Sequence, residues 1–262
     1  MAFQQYVYPY PYMQEFQHFL VIDFEATCDK GKILHPQEIM DFPSQVVCSI
    51  TGLPITSFQT YVRPTNNPTL TDYCKELTGI QQDQVERELT LDNAILLHDE
   101  WLQMMGIKNT NFAVVTWSDW DCRALLETEC RVKNIYKPPY FNRWINLRVP
   151  FHNIFGGQAC KLNEAVEKAG LKWEGRLHCG LDHVKNIARL LALLIHKGYK
   201  LSITNMLPYN SSDPAPLCNC GVKSNKSMVR KHGPWQGKFF FGCGNWTPAR
   251  GAKCQFMKWA IE

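Results

Sequence analysis

The chain has 262 residues, 45% of them apolar and 20% charged, with a formal net charge of +4. Its length suits one domain of about 200 residues, large enough for a full core, with a small appendage. No apolar run approaches the roughly 20 residues needed to cross a bilayer, which excludes a membrane-spanning chain.

The first seventeen residues, MAFQQYVYPYPYMQEFQ, read as a flexible tail: they lack the basic start and apolar core of a secretory signal and the Arg-rich bias of a transit peptide. Eleven cysteines without an export signal imply reduced thiols inside the cell, in cytoplasm or nucleus, and point to metal binding. HFLVIDFEAT, SQVVCSI, FQTYV and FAVVTW are apolar, β-branched runs that predict strands. Helical patterns alternate with them, closing on Gly79, Gly106 and Gly198, and another follows FAVVTW. The order predicts an α/β domain over residues 18–206, a mixed sheet flanked by helices. The Pro/Ser/Asp-rich stretch at 207–216 predicts a linker, leaving a small module over 217–262.

Asp23 and Glu25 lie two residues apart in an otherwise apolar strand, so period-2 alternation puts both carboxylates on one face. Two neighbouring acids repel, and burying them requires a cation between them; the pattern reads as a divalent-metal platform, or as a strand end facing water. Asp121 follows FAVVTW where strand runs into helix. It is either a metal ligand near the strand's C-terminal end or an N-cap, with Asp119 the rival for the metal role. His178 sits in a Gly-bounded loop ahead of a helix whose apolar face is Val184, Ile187, Ala188, Leu191, Leu194 and Ile195. That is where a general base would reach a water, though a lone His also suits a plain surface.

IDFEATC, ELTGI (Glu76 to Ile80), TWSDWD, and HCGLD followed by NIARL together resemble the DEDDh-type exonucleases of the ribonuclease H-like fold, specifically the Eri-type exoribonucleases, over roughly residues 17–205. The resemblance implies a 3′-to-5′ exoribonuclease with Asp23, Glu25 and Asp121 as metal ligands for two Mg²⁺ or Mn²⁺ ions and His178 deprotonating the attacking water. It implies RNA with an accessible 3′ end as partner, ribosomal or small interfering RNA among the candidates. The chain departs from the family five residues after His178, where His183 replaces the usual fourth acid. On a helical wheel His183 falls at the margin of the apolar face and Asp182 roughly opposite its centre, so Asp182 reads as a helix cap. With His183 as ligand the site leans toward Mn²⁺ or softer ions. The outcomes are a working enzyme, a weakened one, or a silent RNA-binding fold; a DNA exonuclease is a third function class.

In the last segment Cys218, Cys220, Cys243 and Cys254 supply four thiolates, enough for one structural Zn²⁺ that a segment this small needs. GPWQGKFFFGC and CQFMKW resemble the two halves of a GRF-type zinc finger, a module associated with single-stranded nucleic acid; Trp235 stands where that family often has a polar residue. Between Leu217 and Ile261 there are eight lysines and arginines and no acid. Lys223, Lys226, Arg230, Lys231 and Lys238, interleaved with Trp235, combine phosphate neutralisation with a stacking face.

Overall fold

In the computed structural model, which describes residues 14–156, 160–207, 216–229, 236, 239–247 and 250–259, the chain divides into two compact units, Met1–Met206 and Leu207–Glu262. Residues 1–13 of the expected tail and 208–215 of the expected linker lie outside the described residues. Among the described residues, no helix is long and apolar enough to cross a membrane.

The first unit runs β1 (His18–Ile22), β2 (Glu25–Ala26), β3 (Ile39–Cys48), β4 (Pro54–Tyr61), α1 (Asp72–Thr78), α2 (Gln82–Val85), α3 (Leu91–Met104), β5 (Phe112–Thr116), a π-helical segment (Trp120–Leu126), α4 (Glu127–Lys133), β6 (Arg143–Asn146), α5 (Arg148–Phe155), α6 (Leu162–Lys168), α7 (Gly180–His196) and β7 (Asn205–Met206). Its described strands form one mixed sheet in the order β2-β3-β1-β5-β6-β7, with β4 also paired to β3. β1 runs parallel to β5 and antiparallel to β3, and β5 runs parallel to β6. The expected α/β fold is the one observed.

β1 is an unbroken apolar run because it lies inside the sheet with both faces covered; Phe19, Leu20, Val21 and Ile22 are fully buried. Phe19 and Val21 pack with Val184, Ile187 and Leu191, and all six residues expected on the apolar face of α7 are buried. β4, at the edge, alternates between exposed and half-buried positions. The predicted first strand breaks after Ile22 and resumes at Glu25, and β3 begins five residues earlier than SQVVCSI. β6, β7, α5 and α6 had no counterpart in the sequence reading.

In the second unit β8 (Asn225–Met228), β9 (Phe239–Gly242) and β10 (Met257–Trp259) form a small antiparallel sheet in the order β10-β9-β8. Among its described residues the buried side chains are Phe241, Ser224, Cys218 and Cys243, few of them apolar.

Candidate functional site

Because β1 and β5 are parallel neighbours, their C-terminal ends lie side by side, and the residues following each strand meet there. Asp23 follows β1 directly. Asp121 follows β5 inside the π-helical segment, whose N-cap is Asp119, so Asp121 is neither the N-cap nor part of an ordinary α-helix. Its Oδ1 accepts a hydrogen bond from the Phe24 amide at 3.0 Å, which ties the gap between β1 and β2 to the end of β5. Asp119 Oδ1 accepts from Trp144 Nε1 and Asn146 Nδ2, and its Oδ2 from Asn205 Nδ2; that carboxylate holds β6 and β7.

His183 comes in from the first turn of α7. Its Nδ1 lies 2.9 Å from Asp23 Oδ2 and 3.9 Å from Glu25 Oε1, and ligand atoms of these three residues all lie within 4.8 Å of one another. The His178 amide donates to His183 Nε2 at 3.0 Å, so the ring proton resides on Nδ1 and is donated to Asp23. The His178 ring centroid is 5.9 Å from that of His183, and His178 itself takes a positive φ of 59°. Trp173 packs edge-on against His183, with ring centroids 5.4 Å apart.

Asp182 is not the cap of α7. That position is Cys179, and Asp182 instead turns back to accept the Arg176 amide at 2.9 Å while pairing with Lys185. A residue that the sequence reading missed, Asp41 on β3, stands opposite Glu25 in the β2–β3 ladder and accepts two hydrogen bonds from Gln59 Nε2, one at each carboxylate oxygen. Its only sequence signal is an acid within an apolar strand.

Burial, then the Asp41 carboxylate, pushes the Asp23 carboxyl well above its ordinary range. Glu25 is pushed up to about 8 by burial, then by Asp23. Burial and then Asp23 also raise Asp121, against the Phe24 amide, and burial raises Asp41 to about 6 despite Gln59. Burial lowers His183, which keeps it neutral, and burial, with the Arg176 and Lys161 charges, lowers His178. Among the described residues, the ion-pair partner of Asp23 and Glu25 is this uncharged ring. Crowded carboxyls of this kind could hold a cation by their donor chemistry. A cleft of about 250 Å³ opens over them, lined further by Phe24, Leu77, Thr78 and Trp120.

In the second unit the four sulfurs of Cys218, Cys220, Cys243 and Cys254 also lie within 4.8 Å of one another. The Cys220 to Cys243 separation is 3.8 Å. Tetrahedral Zn–S bonds of about 2.3 Å put sulfurs at nearly that spacing. Lys226 Nζ lies 4.8 Å from the Phe239 ring centroid, and Lys223 bridges to Leu217. Arg230, Lys231, Trp235 and Lys238 lie outside the described residues.

Residues 20–191 match the exonuclease family RNase_T. The chain is 36% identical over 220 residues to the 3′-5′ exonuclease Snipper of Drosophila melanogaster, covering 77% of this chain and 78% of that protein. It is 36% identical over 211 residues to human ERI1 exoribonuclease 2, covering 74% of this chain but 30% of that longer protein. The solved nuclease domain of 3′hExo, a DEDDh family member bound to rAMP, superposes with a TM-score of 0.70 at 33% identity, covering 74% of this chain and 98% of that one.

Proposed function

The chain belongs to the DEDDh-type exonuclease family, and from that premise we propose that residues 18–206 are a divalent-metal-dependent 3′-to-5′ exoribonuclease releasing nucleoside 5′-monophosphates. The observation that carries the proposal is the convergence of Asp23, Glu25 and Asp121 at the ends of β1 and β5, each with raised proton affinity. An all-oxygen donor set of this kind fits Mg²⁺ or Mn²⁺, and these three residues would hold two such ions with His183 beside them. Bound there, such ions would neutralise the carboxylates, acidify a water and stabilise the leaving oxygen of an in-line displacement.

His178 accepts the proton of the attacking water; its lowered proton affinity keeps the ring neutral and able to accept. His183 steadies both partners, donating from Nδ1 to Asp23 and accepting at Nε2 from the His178 amide. Phe24, Leu77 and Thr78 form a mainly apolar seat for the terminal nucleoside, and Trp120, 40% exposed, offers a stacking face. The exoribonuclease name of a relative and the rAMP in the 3′hExo structure support RNA, with ribosomal and small interfering RNA 3′ ends as substrate classes. The relatives do not favour a silent RNA-binding fold.

We propose likewise that 207–216 is a linker and that 217–262 is a GRF-type zinc finger. Cys218, Cys220, Cys243 and Cys254 would hold one Zn²⁺, with Lys223, Lys226, Arg230, Lys231, Trp235 and Lys238 binding single-stranded nucleic acid. The sulfur spacing supports the zinc reading.

The test uses 5′-labelled RNA and DNA with Mg²⁺ or Mn²⁺, comparing wild type, Asp23→Ala and His183→Asp. Wild type is expected to ladder RNA from the 3′ end and Asp23→Ala to be inactive. No laddering by wild type in either metal would sink the proposal, and equal degradation of DNA would remove the RNA preference.

A further inference from the structure

The loop carrying His178 is pinned to α7 at alternate residues. Asn186, fully buried, donates from Nδ2 to the Glu174 carbonyl at 2.8 Å; Asp182 accepts the Arg176 amide at 2.9 Å; His183 Nε2 accepts the His178 amide at 3.0 Å. Gly175, with φ of 85°, is required where the loop folds over Asp182, because a Cβ there would overlap the Asp182 carboxylate. These bonds set the loop against its own helix. They do not set it against the opposite wall of the cleft, where Leu77 and Thr78 stand.

Arg176 makes that second connection. Its Nη1 donates to the Thr78 carbonyl at 2.8 Å, and Nη2 donates to the Glu76 carbonyl at 3.0 Å and the Leu77 carbonyl at 3.4 Å. These are carbonyls of the last turn of α1, which have no intrahelical partner and sit at the negative end of the helix. A planar guanidinium with five donors can span three carbonyls; an ammonium is a single point. Gly79 completes the arrangement, since it takes the left-handed φ of 79° that ends α1 and a Cβ there would overlap the Arg176 guanidinium.

We infer that Arg176 is a positioning residue: its guanidinium straps the His178 loop to the C-terminal turn of α1 and thereby fixes the distance between the proposed general base and the wall that seats the terminal nucleotide. The inference rests on the exoribonuclease reading for its kinetic consequence, but the strap itself is a property of the metal-free chain. The Arg176 guanidinium reaches backbone carbonyls of α1 rather than Asp23, Glu25 or Asp121, so it acts through where it puts His178.

Two measurements on the full chain test this. The first is amide hydrogen exchange without metal, in wild type, Arg176→Ala and Arg176→Lys. Faster exchange at residues 175–179 in both variants, with Val184 and the rest of α7 unchanged, is expected; unchanged exchange at 175–179 would overturn the strap. The second is steady-state kinetics on an oligoribonucleotide with Mg²⁺, where a base displaced by about an ångström costs roughly ten- to a hundredfold in kcat with little change in KM. Methylguanidinium added to Arg176→Ala is expected to restore part of kcat, which no general loss of stability would allow, and Arg176→Lys is expected to stay near Arg176→Ala. Wild-type kcat in Arg176→Ala, or a loss that tracks the unfolded fraction and resists rescue, would overturn the positioning role. A wild type inactive on RNA sinks the exoribonuclease reading alone, because exchange still decides the strap.

Discussion

Glu25 is buried beside Asp23, with its carboxyl pushed up to about 8 from an ordinary 4.5, burial being the main cause. A carboxyl whose folded pKa is raised binds more protons folded than unfolded. Its effect on stability therefore worsens as pH rises from about 4.5 to 8, at up to about 1.4 kcal/mol per unit. Glu25→Gln is expected to raise the melting temperature of the metal-free protein at pH 8 by the equivalent of about 2 kcal/mol, and to change it little at pH 4. Mg²⁺ or Mn²⁺ should raise the wild-type melting temperature and leave that of Glu25→Gln nearly unmoved; a variant no more stable than wild type at pH 8 would sink the charge-crowding argument. His98 runs the other way. Buried among Phe42, Phe58 and Trp101, with Ser44 at Nε2, it is lowered to about 3 by burial. The unfolded chain takes up that proton below about 6.5, so stability falls with acid through the window from 6.5 to 3. His98→Gln should flatten this acid limb in a urea titration read at each pH; an unchanged slope would place the acid sensitivity elsewhere.

At the scale of elements, the segment after β5 separates two aspartates that the sequence leaves as rivals. Asp119 carries three donors from β6 and the β7 strand, whereas Asp121 reaches across to the Phe24 amide. Asp119→Ala would strand those donors and is expected to cost about 2 kcal/mol while kcat stays within roughly threefold. Asp121→Asn should abolish turnover with little loss of stability, and the reverse pattern would exchange their roles. The partners that decide this lie 25, 27 and 86 residues from Asp119 and 97 from Asp121, so no local pattern could reveal them. The same holds for the break after Ile22, which exists because Phe24 gives its amide to Asp121 rather than to a ladder. By contrast β1, the apolar face of α7 and the marginal place of His183 were legible, since burial and helical period are written within each segment. The π-helical turn carries no such period, and β6, four residues beginning with Arg143, is too short and too polar at its start to announce itself. Arg176 was missed because a basic residue in a loop ordinarily means solvent; its meaning depends on α1 lying opposite.

For the whole molecule, the two units differ in what keeps them folded. The first has a continuous apolar core joining β1, β5, α5, α6 and α7, while the described residues of the second form one sheet with mostly exposed side chains beside the four clustered sulfurs. The described residues of the second unit bury little apolar surface, so with the proposed Zn²⁺ on its four cysteines this unit is expected to depend on that ion for its fold. Cys243→Ser is therefore expected to lose zinc and the weaker unfolding transition, while the main transition of the first unit stays where it was. Its activity on a short oligoribonucleotide should match wild type, because the proposed catalytic residues all belong to the first unit. On a long single strand the basic module would act as a tether, raising the local concentration of substrate, so KM should rise about tenfold with kcat unchanged and the effect should shrink at high salt. A KM for long RNA that does not move when zinc is lost removes the tether. An equal loss on short and long substrates would show instead that the second unit supports the fold of the first.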